Sequence, residues 1–144
     1  MGKIEALKGD GWVNNSYRAY MQSQVMTAPK EKLVIMMYDG ILRFARGAKE
    51  ACLRNDIEEA NRNLIKAQSI VGELMGSLNF EAGDIAKSLF LLYDYMHRRL
   101  IEANVKKDPE IIEEVCGMAA ELKEAWQQSL KALKEAPTEA DAGG

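Results

Sequence analysis

The chain has 144 residues, a formal net charge of −3 and an isoelectric point near 5.3, so one domain is expected, burying roughly 68–70% of its unfolded surface. The acidic balance argues against nucleic-acid binding, which needs a basic stripe to neutralise phosphates. No apolar run approaches the ~20 residues that cross a bilayer, and the opening MGKIEALKGDGW has no apolar signal core, so the expectation is a cytoplasmic protein without a membrane partner.

Long stretches rich in Ala, Leu, Glu and Lys, broken only by prolines 29, 109 and 137, predict an all-α class. Residues 1–15 hold glycines and asparagines without a helical period and read as a tail. Ser16 suits an N-cap for a short helix through Gln22, within an arm over 16–28. Pro29 opens the first long helix, with Glu31 placed to reach back to the cap, and this helix runs to about Arg54. Asp56-x-x-Glu59 is a capping box, and the helix behind it spaces Ile57, Ala60, Leu64, Ala67, Val71, Leu74 and Leu78 by three and four. Asn79 to Gly83 reads as a turn, with Asp84 capping the third helix. Asp108-Pro109 signals the start of the fourth, whose seam is Ile112, Val115, Ala119, Leu122, Trp126, Ser129 and Leu133. Residues 137–144, PTEADAGG, read as a disordered tail. The unit over 16–136 is therefore an antiparallel up-down four-helix bundle.

At 100° per residue the second and fourth helices keep most apolar residues in one stripe. The first helix has a stripe of Leu33, Met37, Ile41, Phe44, Ala45 and Ala48, with Ile35, Met36 and Leu42 outside it. In the third, Ile85, Leu89, Leu92, Met96, Leu100 and Ala103 form the stripe, and Phe90 and Ile101 share another side with His97. These outliers either pack on the N-terminal arm or form a groove for a partner helix. The two readings are compatible if the arm covers the groove when the partner is absent. Tyr17 and Tyr20, three apart, share one face of a short helix and lead toward Val25. Candidate partner-binding residues are thus Tyr17, Tyr20, Val25, Ile35, Met36, Leu42, Phe90 and Ile101. Methionines suit an adaptable surface, although a Met-rich stripe is more often core.

Catalytic chemistry is hard to assemble. The chain has a single histidine, His97; Asp94 and His97 have the spacing of half a carboxylate-bridged dimetal site, but the second histidine such sites use does not exist. Cys52 and Cys116 are 64 residues apart in sequence, which points to two reduced, buried thiols. There is no phosphate-binding glycine loop. Neither a catalytic set nor a cofactor or metal is expected.

The chain resembles the FliS family of flagellar secretion chaperones. The resemblance rests on Tyr17-x-x-Tyr20 followed by Val25-Met26-Thr27-Ala28, then Leu33 with Met36-Met37-Tyr38-Asp39-Gly40. It continues through Asp56-Ile57-Glu58-Glu59-Ala60-Asn61, Leu64-Ile65-Lys66-Ala67-Gln68, Leu78-Asn79-Phe80, and Leu92-Tyr93-Asp94-Tyr95-Met96 with Arg98-Arg99-Leu100. It spans about Tyr17 to Trp126. One departure is Thr27-Ala28-Pro29-Lys30-Glu31, where the family commonly carries a serine before the proline; losing that cap costs ~1 kcal/mol of helix stability and bears on where the first helix starts.

The resemblance implies a cytoplasmic chaperone that binds the disordered C-terminal segment of flagellin, prevents premature polymerisation and keeps the subunit competent for type III export. It also admits the export gate, an anti-sigma factor or a co-chaperone as further partners, and exposed apolar grooves leave weak self-association open. The alternative is a helical adaptor or regulatory binding module with no secretion client. Such a module needs neither the tyrosine arm nor the surplus apolar faces.

Overall fold

The computed structural model describes residues 28–135, which form four α-helices: α1 (Ala28–Leu53), α2 (Ile57–Gly76), α3 (Asp84–Lys106) and α4 (Pro109–Glu135). The tail 1–15, the short helix expected over 16–22 and the segment 137–144 lie outside the described residues, as do the side chains of Tyr17, Tyr20, Val25 and Leu133. Among the described residues there is no strand, and none of the helices is long and apolar enough to cross a membrane.

Local chemistry sets the helix ends. α1 closes on Asn55, which takes the left-handed conformation (φ 61°) that asparagine tolerates better than most residues, and Asp56 N–H returns to the Ala51 carbonyl at 2.8 Å. Asp56 then caps α2 by accepting from the Glu59 N–H at 3.2 Å. Only that half of the expected capping box forms: the Glu59 carboxylate is turned to Arg62 and Asn63 instead. A 3-10 turn over Phe80–Ala82 follows, with Asn79 accepting from the Glu81 N–H. Asp84 is the first helical residue of α3, not its cap. Gly83 stands at the cap position with φ 101°, a conformation that disfavours any side chain able to accept there. Asp108 caps α4 through the Glu110 N–H at 2.9 Å.

Each helix packs on its neighbours in a ring, α1 on α2, α2 on α3, α3 on α4 and α4 back on α1, the architecture of a four-helix bundle. The centre is continuous, with Tyr38, Ile41, Leu64, Val71, Leu89, Leu92, Met96, Leu100, Ile112 and Leu122 all sealed from solvent, and Leu74 and Trp126 nearly so. Across this core the Tyr38 and Tyr93 hydroxyls hydrogen-bond at 2.6 Å. The stripe expected for α3 is buried at every position.

Three expectations about the core fail for one kind of reason, the extent of the neighbours. Cβ atoms at Gly40 and Gly47 would meet Ile70 at 2.8 Å and Asn63 at 3.0 Å, so seven residues of α1 match seven of α2 in an antiparallel register. Leu33, seven residues before Gly40, is then level with Ser77, past the end of α2. It is 55% exposed. Ile57, counted on the α2 seam, is 48% exposed because it falls level with Asp108, beyond the last residue of α3. Leu42, placed outside the α1 stripe, is buried, because α1 has neighbours on both flanks and its buried arc is wider than one stripe.

Candidate partner-binding surface

Asn104 of α3 donates through Nδ2 to Asn61 of α2 at 2.8 Å, and the Lys107 ammonium donates to the Oδ1 of the same Asn104 at 2.7 Å. This bond fixes the register of the α2–α3 seam. Counting along both helices from it, Gln68 falls level with His97 and Met75 with Phe90, while Ile65 is level with Leu100, next to Ile101, and Gly72 with Tyr93, next to Asp94. At 100° per residue the α2 residues and Phe90 and His97 lie within about 40° of the seam face, and Ile101 and Asp94 about 60–80° from it toward solvent. The side chains are half-buried or exposed, Ile65 at 48% and Ile101 at 42%. At the far end Phe80 meets Phe90 edge-to-face, centroids 5.8 Å apart, and is itself half exposed.

The surface is therefore a shallow groove with an apolar patch at each end. Met75, Phe80 and Phe90 make one; Ile65 and Ile101, with Ile57 further along α2, make the other, and exposed Val105 lies one turn beyond Ile101 on the outer side of α3. Between them lie Gln68, Gly72, Asp94 and His97, with Asp94 paired to Arg98 at 3.0 Å. Exposed aliphatic and aromatic side chains on two adjacent helices, not covered by any other described residue, are suited to receive an amphipathic segment.

Of the eight residues singled out from sequence, the five that are described, Ile35, Met36, Leu42, Phe90 and Ile101, do not form one cluster. Phe90 and Ile101 share the α2–α3 groove. Met36, 66% exposed, faces outward from α1, and Ile35 is partly buried against the core. Leu42 is in the floor of a different groove, between α1 and α4, of about 610 Å³. That groove is walled by Arg43, Arg46, Lys123 and by Asp39, Glu50, Glu124, with Lys123 bound to Asp39 at 2.5 Å. Its balanced charge suits an apolar partner less than the α2–α3 surface does. Ile65, Gly72, Met75, Phe80 and Val105 were not marked by sequence reasoning. The four-residue step from Ile101 to Val105 was the signal for one of them.

The remaining seams are held closed by polar contacts. Between α3 and α4, Glu114 accepts from Tyr95 and Arg99, each at 2.7 Å, and Arg99 also binds Glu102. Burial raises the Glu114 carboxyl, but the two donors outweigh it and hold the group below its ordinary range. The hydrogen bond to Glu114, with burial, pushes the Tyr95 phenol up. Lys49 bridges α1 to Glu113 of α4 at 2.9 Å. Burial, helped by Glu113, lifts the Cys116 thiol to about 11. Among the described residues no group of three His, Cys, Asp or Glu side chains is placed to hold a metal.

Comparison with known proteins gives this surface a context. The family model described as flagellar protein FliS matches residues 13–133. The chain belongs to the FliS family. It is 41% identical over 123 residues to the flagellar secretion chaperone FliS of Bacillus subtilis (strain 168), covering 85% of this chain and 92% of that protein. It is 37% identical over 110 residues to the FliS of Salmonella typhimurium, covering 75% and 82%. The FliS of Campylobacter jejuni is 35% identical over 116 residues, covering 80% and 91%. FliS relatives are chaperones by name, which agrees with a helical bundle that carries surplus apolar surface.

Proposed function

We propose that this FliS-family chain binds the C-terminal segment of flagellin in the cytoplasm, keeping the subunit from polymerising early and competent for flagellar export. The observation that carries the reading is the apolar α2–α3 surface that the described residues leave exposed, on a chain whose relatives are flagellar secretion chaperones. Binding of this kind is coupled folding, in which apolar burial offsets the ordering entropy of the client. Release at the export apparatus then needs no nucleotide. Phe90 and Ile101 are the proposed contacts in the groove, with Met36 and Ile35 as a second patch on α1. The arm carrying Tyr17, Tyr20 and Val25 is proposed as a cover that the client displaces or re-orders. Export gate, anti-sigma factor and co-chaperone remain further partners admitted by this reading.

The test is direct. Depolymerised flagellin mixed with the purified chain should form a complex by size exclusion and stop seeded polymerisation followed by light scattering. Ile101→Asp should lose the complex while staying folded, at a cost of about 1–2 kcal/mol to the free protein. Failure of the native chain to bind flagellin refutes the reading. For the arm, hydrogen exchange over residues 16–26 should change on saturation with flagellin, and unaltered protection there would remove the arm from the mechanism.

A further inference from the structure

We infer that Gly72 is a steric saddle in the α2–α3 groove, and that it restricts the client to a helix whose apolar anchors are three turns apart. This deepens the flagellin-binding reading and rests on it. Glycine in a helix interior weakens the helix relative to alanine, so an interior glycine calls for a local reason. Gly40 and Gly47 have one within the fold: the space their Cβ atoms would take is occupied by Ile70 and Asn63 of α2. Gly72 has none. Among the described residues a Cβ built there meets no atom within 4 Å, and its position eleven residues after Asn61 brings it back to within about 20° of the seam face.

What lies on either side gives the open space its use. Phe90, with Met75 beside it, is one apolar patch, and Ile101 with Ile65 is the other. Phe90 and Ile101 are eleven residues apart along α3, about 16 Å at 1.5 Å per residue. A straight helix laid in the groove touches both patches only if the span between them offers no rigid obstruction: the polar side chains of Gln68 and His97 can turn aside for it, whereas a bulky apolar side chain at position 72 could not. Gly72 keeps the α2 side of that span low, one turn along from Gln68 and within a residue of level with Asp94. The client that fits therefore presents apolar residues at i and i+11. Between them it presents a small or hydrogen-bonding side chain, where its backbone comes nearest to α2.

The experiment is a substitution ladder read by calorimetric titration with depolymerised flagellin and by thermal unfolding. Because the space is open, Gly72→Ala and Gly72→Leu should fold with an unfolding temperature equal to or above that of the native chain. Gly72→Leu should weaken flagellin binding at least about tenfold, equivalent to about 1.4 kcal/mol, and Gly72→Ala by less. Gly117 on α4, exposed and equally open, is the control: Gly117→Leu should bind within about twofold of the native chain. Native affinity in Gly72→Leu, alongside lost binding in Ile101→Asp, overturns the saddle and leaves the groove reading standing. Absence of binding by the native chain overturns both.

Discussion

Leu64 and Ile65 are consecutive residues of α2 that separate stability from binding. The first is sealed from solvent and the second is 48% exposed. Leu64→Ala removes buried carbon from a continuous core, so the lost transfer energy adds to that of the cavity left behind, about 2–5 kcal/mol in all. Fully burying an isoleucine side chain is worth about 1.5–3 kcal/mol, and the fold has already buried about half of that at Ile65. Ile65→Ala should therefore cost the free protein only ~1 kcal/mol. The unburied half remains for a client, another ~1 kcal/mol, or about fivefold in Kd. Urea unfolding measures the first quantity and calorimetric titration with depolymerised flagellin the second. Leu64→Ala should move the unfolding midpoint strongly, with a flagellin affinity near native under conditions where it stays folded. Ile65→Ala should show the opposite pattern. Equal destabilisation by the two variants would mean that the α2 seam is rotated from the one described.

The Glu114 carboxyl, held below its ordinary range by Arg99 and Tyr95, binds fewer protons in the folded state, so its stabilisation is present above the unfolded value of ~4.3 and lost as pH falls through the folded one. Glu114→Gln should cost about 1–2 kcal/mol at pH 7 and flatten the fall in stability between about pH 5 and 3, both read from urea midpoints. Cys116, buried with a thiol near 11, should resist a thiol reagent at neutral pH until the protein unfolds, while half-buried Cys52 reacts first, as peptide mapping of the labelled protein would show. Asp56→Ala removes the side-chain cap of α2 and should cost ~1 kcal/mol in thermal unfolding, whereas Asp56→Asn, which can still accept from Glu59 N–H, should stay within a few tenths.

Much of this fold is legible because a helix inside a bundle keeps one face dry along its length. The α3 stripe from Ile85 to Ala103 and the seam residues Leu64, Val71, Leu74, Val115, Leu122 and Trp126 are all buried, as three-four spacing predicts. The same rule misplaces Leu33 and Ile57, because periodicity carries no information about where the neighbouring helix stops. It misplaces Leu42 because a single stripe underestimates a helix flanked on both sides. The candidate site is legible only by half. Phe90 and Ile101 stand out as apolar residues off the α3 stripe, but their counterparts on α2 depend on a register fixed by the contact between Asn61 and Asn104, 43 residues apart in sequence. Phe80 reads as part of a turn until its ring is seen against Phe90.

That division has a consequence for how such a surface survives in a small protein. The groove residues add little to a core already closed by Leu64, Leu89, Met96 and Leu100, so they are free to be chosen for a partner. Their exposure is tolerable because Gln68, Asp94 and His97 split the apolar surface in two, and the larger contiguous patches are those that drive aggregation. The polar interruption is therefore expected to limit self-association of the free protein, and the glycine beside it keeps the two patches reachable by one straight helix. Filling the interruption with apolar residues, as in Gln68→Leu with His97→Leu, should raise self-association measured by sedimentation at a concentration where the native chain is unaffected. If the doubly substituted protein sediments as the native one does, the polar gap has no protective role.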